Sequence, residues 1–434
     1  MLKKSSVLVM CAGLLCQPVF ASRLVENALV EQASQELTSA KALLLKTVNI
    51  NSGTMNFAGV KEVGSIMRKE YDALGFKTEW VDGSEFNRAG HLVATYESPT
   101  HPTGQKLLLI GHLDTVFAKD DDFQKAKEID EQHIAGPGIS DMKGGNVIML
   151  AAIKALKARG MLDRLNIKVV LTGDEESSGR PLSKSKKALI DAAIWADVAL
   201  GFEDADGDIR TAVTARRGAS TWQVTTSGNA AHSSQIFTDK VGDGAIFEIA
   251  RILQEFRLQL ADLPLLSFNP GVIAGGTRVS TNKGGDEVVA FGKTNVVAKD
   301  ASVKGGLRAA SQEQLEQAKA IMSQVVEQHL AQTDATFMFD EGYPPMKETK
   351  GNKSLLAQYS QVSVDLGYGP VTAVNPRNAG AADISFTAGH VKMAIDGLGL
   401  MGEGGHTKDE VADMTTFKQN IEKTAVLMYR LSNP

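Results

Sequence analysis

Short apolar runs and amphipathic segments alternate along most of the chain. The run 107–110 contains only aliphatic residues and stops at Gly111, which is typical of a short strand buried on both faces. Periodic apolar positions predict helices at 34–48, 60–74 and 144–159. Further strands are predicted at 77–81, 92–96, 106–110 and 167–172. Because helices separate these strands, we expect an α/β fold with a mostly parallel, helix-covered sheet.

The middle of the chain shows a different order of elements, from about Arg217 to about Phe339. The predicted elements are a strand at 219–226, a helix at 242–260, strands at 265–274 and 288–297, a further strand candidate at 302–308, a helix at 312–332 and a strand at 335–339. This β-α-β-β-α-β order predicts a ferredoxin-like α+β domain inserted into the first domain. Helices and a strand resume at 354–366, 391–395 and 414–432, so we expect the tail to complete the first domain.

A chain of 434 residues is longer than one hydrophobic core normally serves, so two domains are expected. The predicted parts are a signal peptide at 1–21, the first domain at 22–214, the inserted domain at 215–341 and the rest of the first domain at 342–434. The signal peptide is predicted from Lys3 and Lys4, the apolar run 7–15 and the residues before Ser22. Cleavage after Ala21 would give a periplasmic or secreted protein without a membrane anchor.

The positions of the cysteines and the net charge limit the kinds of active site and the kinds of partner to expect. Cys11 and Cys16 both lie in the signal peptide, so a mature chain would have neither a cysteine nucleophile nor a thiolate metal ligand. The formal net charge of −5, without a basic run, gives no reason to expect nucleic acid or an anionic membrane as a partner.

Candidate chemistry lies where the predicted strands end. His112 and Asp114 follow the strand at 106–110, and their i, i+2 spacing sends an imidazole and a carboxylate to the same side. The acidic triplet 174–176 follows another strand, and three like charges beside a core strand favour a compensating cation. A solvated charge run is the ordinary alternative for this triplet.

Three further residues extend this constellation. Asp141 stands in a glycine-rich loop just before a helix, where a helix N-cap is the ordinary alternative. Glu203 follows a third apolar strand, and His406 lies in a glycine-rich loop near the end of the chain. Two histidines and several carboxylates at the strand ends of one sheet are suitable ligands for a pair of divalent, zinc-type ions.

In chain order, these motifs resemble the ligand series of the di-zinc metallopeptidase and aminoacylase family. The family includes glutamate carboxypeptidase, succinyl-diaminopimelate desuccinylase and acetylornithine deacetylase, and the similarity is greatest to the glutamate carboxypeptidases. The motifs are His112-x-Asp114, Asp141-Met142-Lys143-Gly144-Gly145, Asp174-Glu175-Glu176, Glu203 and His406.

The resemblance implies a cofactor of two Zn²⁺ ions, with other divalent ions as alternatives. It implies that His112 and Glu203 hold one ion, that Glu176 and His406 hold the other, and that Asp141 bridges both. It further implies two supporting residues. Asp114 would orient His112, and Glu175 would be the general base.

For the inserted domain, the resemblance implies a lid and dimerisation domain, called the lid domain below. Ala230-Ala231-His232-Ser233 matches the motif whose histidine stabilises the oxyanion, often from the partner subunit. Whether His232 acts in cis or in trans, and whether the protein is a monomer or a homodimer, stays open. Asn295, Arg308 and Arg377 resemble the residues that bind the substrate carboxylate.

The sequence therefore predicts a zinc-dependent hydrolase that cleaves an amide bond next to a free α-carboxylate, in a small peptide or an N-acyl amino acid. A deacylase of N-acyl amino acids or a dipeptidase is the alternative within the family, because the loop 378–383 departs from the usual substrate motif. A secreted binding protein without catalysis is the alternative from another class. The presence of Glu175 with all five ligands argues against it.

Overall fold

The computed structural model describes residues 17–282 and 287–432. Most of the predicted signal peptide, residues 1–16, lies outside the described residues, and residues 17–21 belong to the first helix. Among the helices of the described part, none combines the length and the apolar character needed to cross a membrane.

The helices and strands are numbered separately in chain order. The α-helices are α1 Gln17–Val48, α2 Phe57–Ala73, α3 Gly144–Ala158, α4 Leu182–Ser185, α5 Lys187–Trp195, α6 Ala245–Leu260, α7 Gln312–Val326, α8 Lys350–Asp365 and α9 Met414–Leu431. The strands are β1 Lys77–Asp82, β2 Gly90–Tyr96, β3 Lys106–His112, β4 Lys127–Glu128, β5 His133–Ala135, β6 Asn166–Thr172, β7 Val198–Gly201, β8 Thr211–Ala212, β9 Ala219–Ser227, β10 Ser267–Gly276, β11 Arg278–Thr281, β12 Val288–Phe291, β13 Asp300–Arg308, β14 Asp334–Tyr343, β15 Thr372–Ala373, β16 Met393–Ile395, β17 Gly402–Glu403 and β18 Val411–Asp413.

The main sheet has the strand order β1-β2-β6-β3-β7-β16. Strands β6, β3, β7 and β16 run parallel, whereas β2 is antiparallel to both β1 and β6. The prediction of a mostly parallel sheet is thereby confirmed. Because the central strands are parallel, their carboxyl ends lie at one edge of the sheet, where open α/β sheets place their ligands.

Strand β3 is buried on both faces, as its aliphatic run predicts. Leu107 and Leu109 pack into a core shared with residues of α1, α3 and α9. Leu108 and Ile110 point the other way, into a second core shared with residues of α5. A strand with two apolar faces is stable only when both are covered, so the helix layers on each side hold β3 and the residues after it in place.

Helix α3 approaches the sheet unusually closely at its first turn. A Cβ atom on Gly145 would lie 1.9 Å from the backbone oxygen of Phe202, just after β7. Only glycine permits this contact, which brings the amino end of α3 against the carboxyl end of the sheet. The loop before α3 is consequently placed at the same sheet edge.

The lid domain contains a four-stranded antiparallel sheet in the order β10-β13-β9-β14. With α6 after β9 and α7 after β13, the order of elements is β-α-β-β-α-β, which confirms the ferredoxin-like prediction. Trp222 and Val224 of β9 pack with Ile249 and Phe256 of α6 in a core of its own. We retain 215–341 as the proposed extent of the domain. The lid sheet itself begins at Ala219 and ends at Tyr343.

One strand of the lid was predicted wrongly. The segment 288–297 is not a strand of the lid sheet, because only 288–291 is extended and it pairs with β11 in a separate hairpin. Val289 and Phe291 are 57% and 54% exposed, so the apolar pattern there does not mark a core strand. The third strand of the sheet is instead β13, which was predicted only as a candidate at 302–308.

Candidate metal centre

Three neighbouring strands deliver the candidate ligands to one edge of the main sheet. His112 is the last residue of β3, the acidic triplet follows β6, and Glu203 stands two residues after β7. Strand β3 lies between β6 and β7 in the sheet, so these side chains meet. His406 comes from the loop between β17 and β18 and has a left-handed backbone φ of 63°. This uncommon conformation for a non-glycine residue is typical of functional loops.

The structure brings the five predicted ligands together in two groups that share Asp141. His112 Nε2 lies 3.0 Å from Asp141 Oδ1 and 3.6 Å from Glu203 Oε1. His406 Nε2 lies 2.8 Å from Asp141 Oδ2 and 3.2 Å from Glu176 Oε2. Within each group the potential ligand atoms are within 4.8 Å of one another. One carboxylate facing two groups is the arrangement of a dinuclear site.

The chemistry of these donors fits a pair of divalent cations. His112 Nδ1 lies 2.9 Å from the backbone oxygen of Asp114, which leaves Nε2 directed at the carboxylates. Glu176 Oε1 is buried and has no hydrogen-bond partner among the described residues, as expected for an oxygen reserved for a ligand. Imidazole nitrogens and carboxylate oxygens without thiolates suit zinc and similar ions.

Crowding of charge at this edge shifts the pKa values strongly. Burial raises the pKa of both Glu175 and Glu203 well above that of a free glutamate. Hydrogen bonds to Asp141 and Glu176 raise the pKa of His406 to about 11. So many buried carboxylates favour a compensating cation, and bound metal ions would provide that compensation.

Asp114 supports the site differently from the prediction. Its carboxylate Oδ1 is 3.6 Å from His112 Nδ1, so it is the backbone oxygen of Asp114 that accepts from the imidazole. The carboxylate instead accepts from the backbone N–H groups of Glu175 at 3.0 Å and Glu176 at 3.2 Å, and from Thr54 Oγ1 at 2.6 Å. Asp114 therefore holds the turn that carries Glu175 and Glu176.

Asp174 does not take part in either ligand group. Its carboxylate forms a buried ion pair with Lys186, at 2.9 Å, and accepts from Ser185 Oγ at 2.5 Å. Burial alone would raise the pKa of Asp174, but Lys186 and His91 lower it to about 2. The acidic triplet is thus divided: a lysine neutralises its first residue, and its third belongs to a ligand group. The sequence analysis missed Lys186, because it lies among other lysines in a polar segment that is typical of an exposed surface.

Glu410 is a second residue that the sequence analysis missed. Its buried carboxylate accepts from the backbone N–H groups of Gly138, Ser140 and Asp141 at 2.8–3.2 Å. These bonds fix the loop that presents Asp141 to both histidines. The glycine-rich loop around His406 predicted only that histidine as a ligand, although Glu410 follows it by four residues in the sequence.

A cleft of about 580 Å³ opens beside the two ligand groups. Its lining includes Glu175 and Glu176 from the catalytic side, and Thr221 and Arg308 from the lid. Glu175 is in neither ligand group, although it adjoins Glu176. The cleft therefore joins the predicted base to one predicted carboxylate-binding residue across the two domains.

The predicted oxyanion histidine and the other two predicted substrate residues belong to neither ligand group. His232 and Asn295 are exposed neighbours in the lid, where the backbone N–H of Ser233 donates to the oxygen of Asn295 at 2.9 Å. His232 Nδ1 lies 2.8 Å from Ser234 Oγ, a contact within the lid. Arg377 is exposed in the loop after β15. None of the three lines the cleft that Arg308 lines.

Arg217 was not predicted and lies at the junction of the two domains. Its guanidinium donates to Ser267 Oγ of the lid at 2.8 Å and to the backbone oxygen of Pro376 at 3.3 Å. Burial, and then the charges of Arg308 and Arg377, lower the pKa of Arg217. Three guanidinium groups therefore share one neighbourhood. Among the described residues, none of the three forms an ion pair with a carboxylate.

A helix-covered, mostly parallel sheet with two carboxylate and histidine groups at one edge is the arrangement of a dinuclear metal-dependent enzyme. The sequence model of the family "Peptidase family M20/M25/M40" matches residues 108–433, and the chain belongs to this family. It is therefore a hydrolase of a metallopeptidase family.

Individual relatives agree with this assignment. The chain is 26% identical to carboxypeptidase G2 from Pseudomonas sp. (strain RS-16) over 414 residues, covering 94% of this chain and 92% of the relative. Its fold is similar to aminopeptidase PepT from Bacillus cereus, with a TM-score of 0.71, 20% identity, and coverage of 93% of this chain and 99% of that one. A dinuclear metal-binding peptidase of the M20 family from Bacillus subtilis matches with a TM-score of 0.61, 13% identity, and coverage of 92% and 98%.

The role of Glu410 can be tested through metal affinity. Glu410→Ala should weaken divalent metal binding about 10- to 100-fold, because three N–H groups of the Asp141 loop lose their acceptor. Chelator competition followed by metal analysis measures this change. Glu403→Ala, an exposed acid on β17, is the matched control and should bind metal normally. Unchanged affinity in Glu410→Ala would contradict the role assigned to its carboxylate.

Proposed function

We propose that the protein is a zinc-dependent exopeptidase of the glutamate-carboxypeptidase type, which hydrolyses an amide bond next to a free α-carboxylate. One observation carries the proposal: Glu175, beside the ligand groups but outside them, lines the same cleft as Arg308 of the lid. A base and a carboxylate-binding guanidinium on opposite walls suit a substrate whose scissile amide adjoins its terminal carboxylate. The similarity to carboxypeptidase G2 along nearly the whole chain supports this choice.

The proposed metal assignment follows the two groups. His112 and Glu203 would hold one zinc ion, Glu176 and His406 the other, and Asp141 would bridge them. When bound, the two ions would supply Lewis acidity that lowers the pKa of water and polarises the scissile carbonyl. The chain itself contributes the order of the site, because Asp114 and Glu410 hold the loops that carry these ligands.

Glu175 would move the proton in this reaction. Its turn is fixed through the backbone, since Asp114 accepts from the N–H of Glu175. The Glu175 carboxylate is therefore free to accept a proton from the attacking water and to deliver it to the leaving amine nitrogen. The C–O bond forms first and gives a tetrahedral oxyanion, and its collapse breaks the C–N bond as the nitrogen receives the proton, so the products are a free carboxylate and a free amine.

Substrate recognition would depend on the unpaired arginines. Arg308 lines the cleft, and its charge acts together with those of Arg217 and Arg377. Arg308, which has no carboxylate partner in the described structure, would bind the anionic end of a substrate through two parallel hydrogen bonds, with the charges of the other two arginines nearby. A deacylase of N-acyl amino acids and a dipeptidase would use the same groups, so both remain alternatives to a carboxypeptidase.

The base assignment predicts a separation of activity from metal binding. Glu175→Gln should lower kcat about 10²- to 10⁴-fold, because the proton can no longer be transferred, while both metal ions are retained. Glu176→Ala should instead lose metal. Kinetics on a panel of N-acylglutamates and dipeptides, with metal analysis of each variant, measure these effects. Glu85→Gln, on the exposed surface, is the control, and near-normal turnover in Glu175→Gln would refute the mechanism.

The carboxylate assignment predicts that substrate and enzyme changes are not additive. Amidating the substrate α-carboxylate, or making Arg308→Ala or Arg377→Ala, should each cost about 2–5 kcal/mol in kcat/KM, since one charge loses its partner. Combining amidation with either substitution should cost much less than the sum. Arg257→Ala on α6 is the control. If the amide is cleaved as well as the free acid, an aminopeptidase-type activity replaces this proposal.

We propose that the protein forms a homodimer through the lid and that His232 of one copy acts in the active site of the other. The lid exposes Phe237, Ile246 and Phe247, and the rings of Phe237 and Phe247 lie 5.6 Å apart, which suits an apolar interface. A heterodimer of one His232→Ala and one Glu175→Ala subunit should then recover about half of the wild-type activity, because one of its two sites is complete. Turnover of purified heterodimers tests this. No recovery above the two homodimers would exclude action in trans.

A further inference from the structure

Tyr343 stands where the lid returns to the catalytic domain, and its hydroxyl reaches the turn of the proposed base. It is the last residue of β14 and pairs with Ala219, the first residue of β9. Its hydroxyl donates to the backbone oxygen of Glu175 at 2.7 Å. Ser178 Oγ donates to the same hydroxyl at 3.3 Å. The Tyr343 side chain thus links the strand pair β9 and β14, where the chain enters and leaves the lid, to the loop that carries Glu175.

A buried ion cluster fixes the position of this hydroxyl. Lys186 Nζ lies 2.9 Å from Asp174 Oδ1, 3.1 Å from Asp383 Oδ1 and 3.4 Å from Tyr343 Oη. Thr172 Oγ1 donates to the other oxygen of Asp383 at 2.5 Å. All four partners of this cluster in the catalytic domain are buried, so the cluster is a rigid support against which the tyrosine is held.

The backbone of Glu175 is therefore held at both its N–H group and its carbonyl oxygen. Asp114 accepts from its N–H at 3.0 Å, and Tyr343 donates to its carbonyl oxygen. The N–H of Glu176 belongs to the same planar peptide group as this carbonyl oxygen and donates to Asp114 at 3.2 Å, so Tyr343 and Asp114 hold that group from opposite ends. Loss of the tyrosine hydroxyl would remove one of these two holds, while Asp114 would still accept from the N–H groups of both Glu175 and Glu176.

We propose that Tyr343 is a positioning residue that ties the lid hinge to Glu175, so that movement of the lid and placement of the base are coupled. This inference rests on the proposed role of Glu175 as general base. A displacement of the Glu175 carboxylate relative to the substrate reduces turnover steeply, since proton transfer requires hydrogen-bond distance. Tyr343 also lines the cleft, but a phenylalanine there keeps the ring, and the substrate carboxylate is proposed to bind to arginines, so KM should depend much less on the hydroxyl.

The variant Tyr343→Phe removes only the hydroxyl. We expect kcat to fall about 10- to 100-fold, with KM within about twofold of wild type and full metal content. The matched control is Tyr359→Phe, which removes another buried hydroxyl, bonded at 3.2 Å to Asn420 in the core away from the site. The control should keep normal kcat. Both are measured on the best substrate of the N-acylglutamate and dipeptide panel, together with thermal unfolding.

The double variant Tyr343→Phe/Glu175→Gln separates positioning from a general structural role. If Tyr343 acts through Glu175, the double variant should be no slower than Glu175→Gln alone. An equal loss in both backgrounds, loss of metal in Tyr343→Phe, or a normal kcat in Tyr343→Phe would each overturn the inference. Near-normal activity of Glu175→Gln alone would instead overturn the proposed function itself.

Discussion

The carboxylate of Asp141 faces His112 through one oxygen and His406 through the other, and much of the surrounding structure serves to place it there. His112 is fixed by a strand with two covered faces, and His406 by a short loop between two paired strands. Asp141 itself lies in the loop just before α3, and a glycine brings that helix against the sheet. Because each ligand comes from a different element, the site forms only when the whole catalytic domain has folded.

A second set of ion pairs neutralises the buried carboxylates that lie behind the candidate ligands. Lys186 neutralises Asp174 and Asp383, and Arg216 pairs with Asp396, at 2.8 Å. Asp396 in turn accepts from the backbone N–H of Glu203, at 3.2 Å. Removal of one member of such a pair leaves an unpaired buried charge, which is strongly destabilising. Each supporting carboxylate thus has a cationic partner of its own, and the ligand carboxylates stay available for cations.

The fold and the grouping of the candidate ligands were largely readable from the sequence because both follow from local patterns. Apolar strands ending in polar residues gave the sheet, and the carboxyl ends of parallel strands placed His112, Glu176 and Glu203 together. The supporting residues were not readable in this way. Lys186 and Glu410 look like surface residues in the sequence, and their burial depends on partners more than 190 residues away.

Errors in the lid have the same origin. The strand propensity of 288–291 does not tell whether the segment joins the lid sheet or forms a separate hairpin. The pairing of β13 with β9 and β10 decides which strand enters the lid sheet. The helix predicted at 242–260 begins at Ala245, because Gly242 and Gly244 have left-handed φ angles of 72° and 78°. The orientation of Asp114 could not be foreseen either, since backbone and carboxylate acceptors lie in the same residue.

The strands by which the chain enters and leaves the lid are neighbours in its sheet. Ala219 and Tyr343 face each other as a β-pair, so the segment from one to the other begins and ends at almost the same place. An insertion with adjacent ends can be lengthened, replaced or recombined without stretching the host domain. In evolutionary terms, the lid is an exchangeable module: the metal-binding sheet can be inherited unchanged while the surface that meets the substrate diversifies around it.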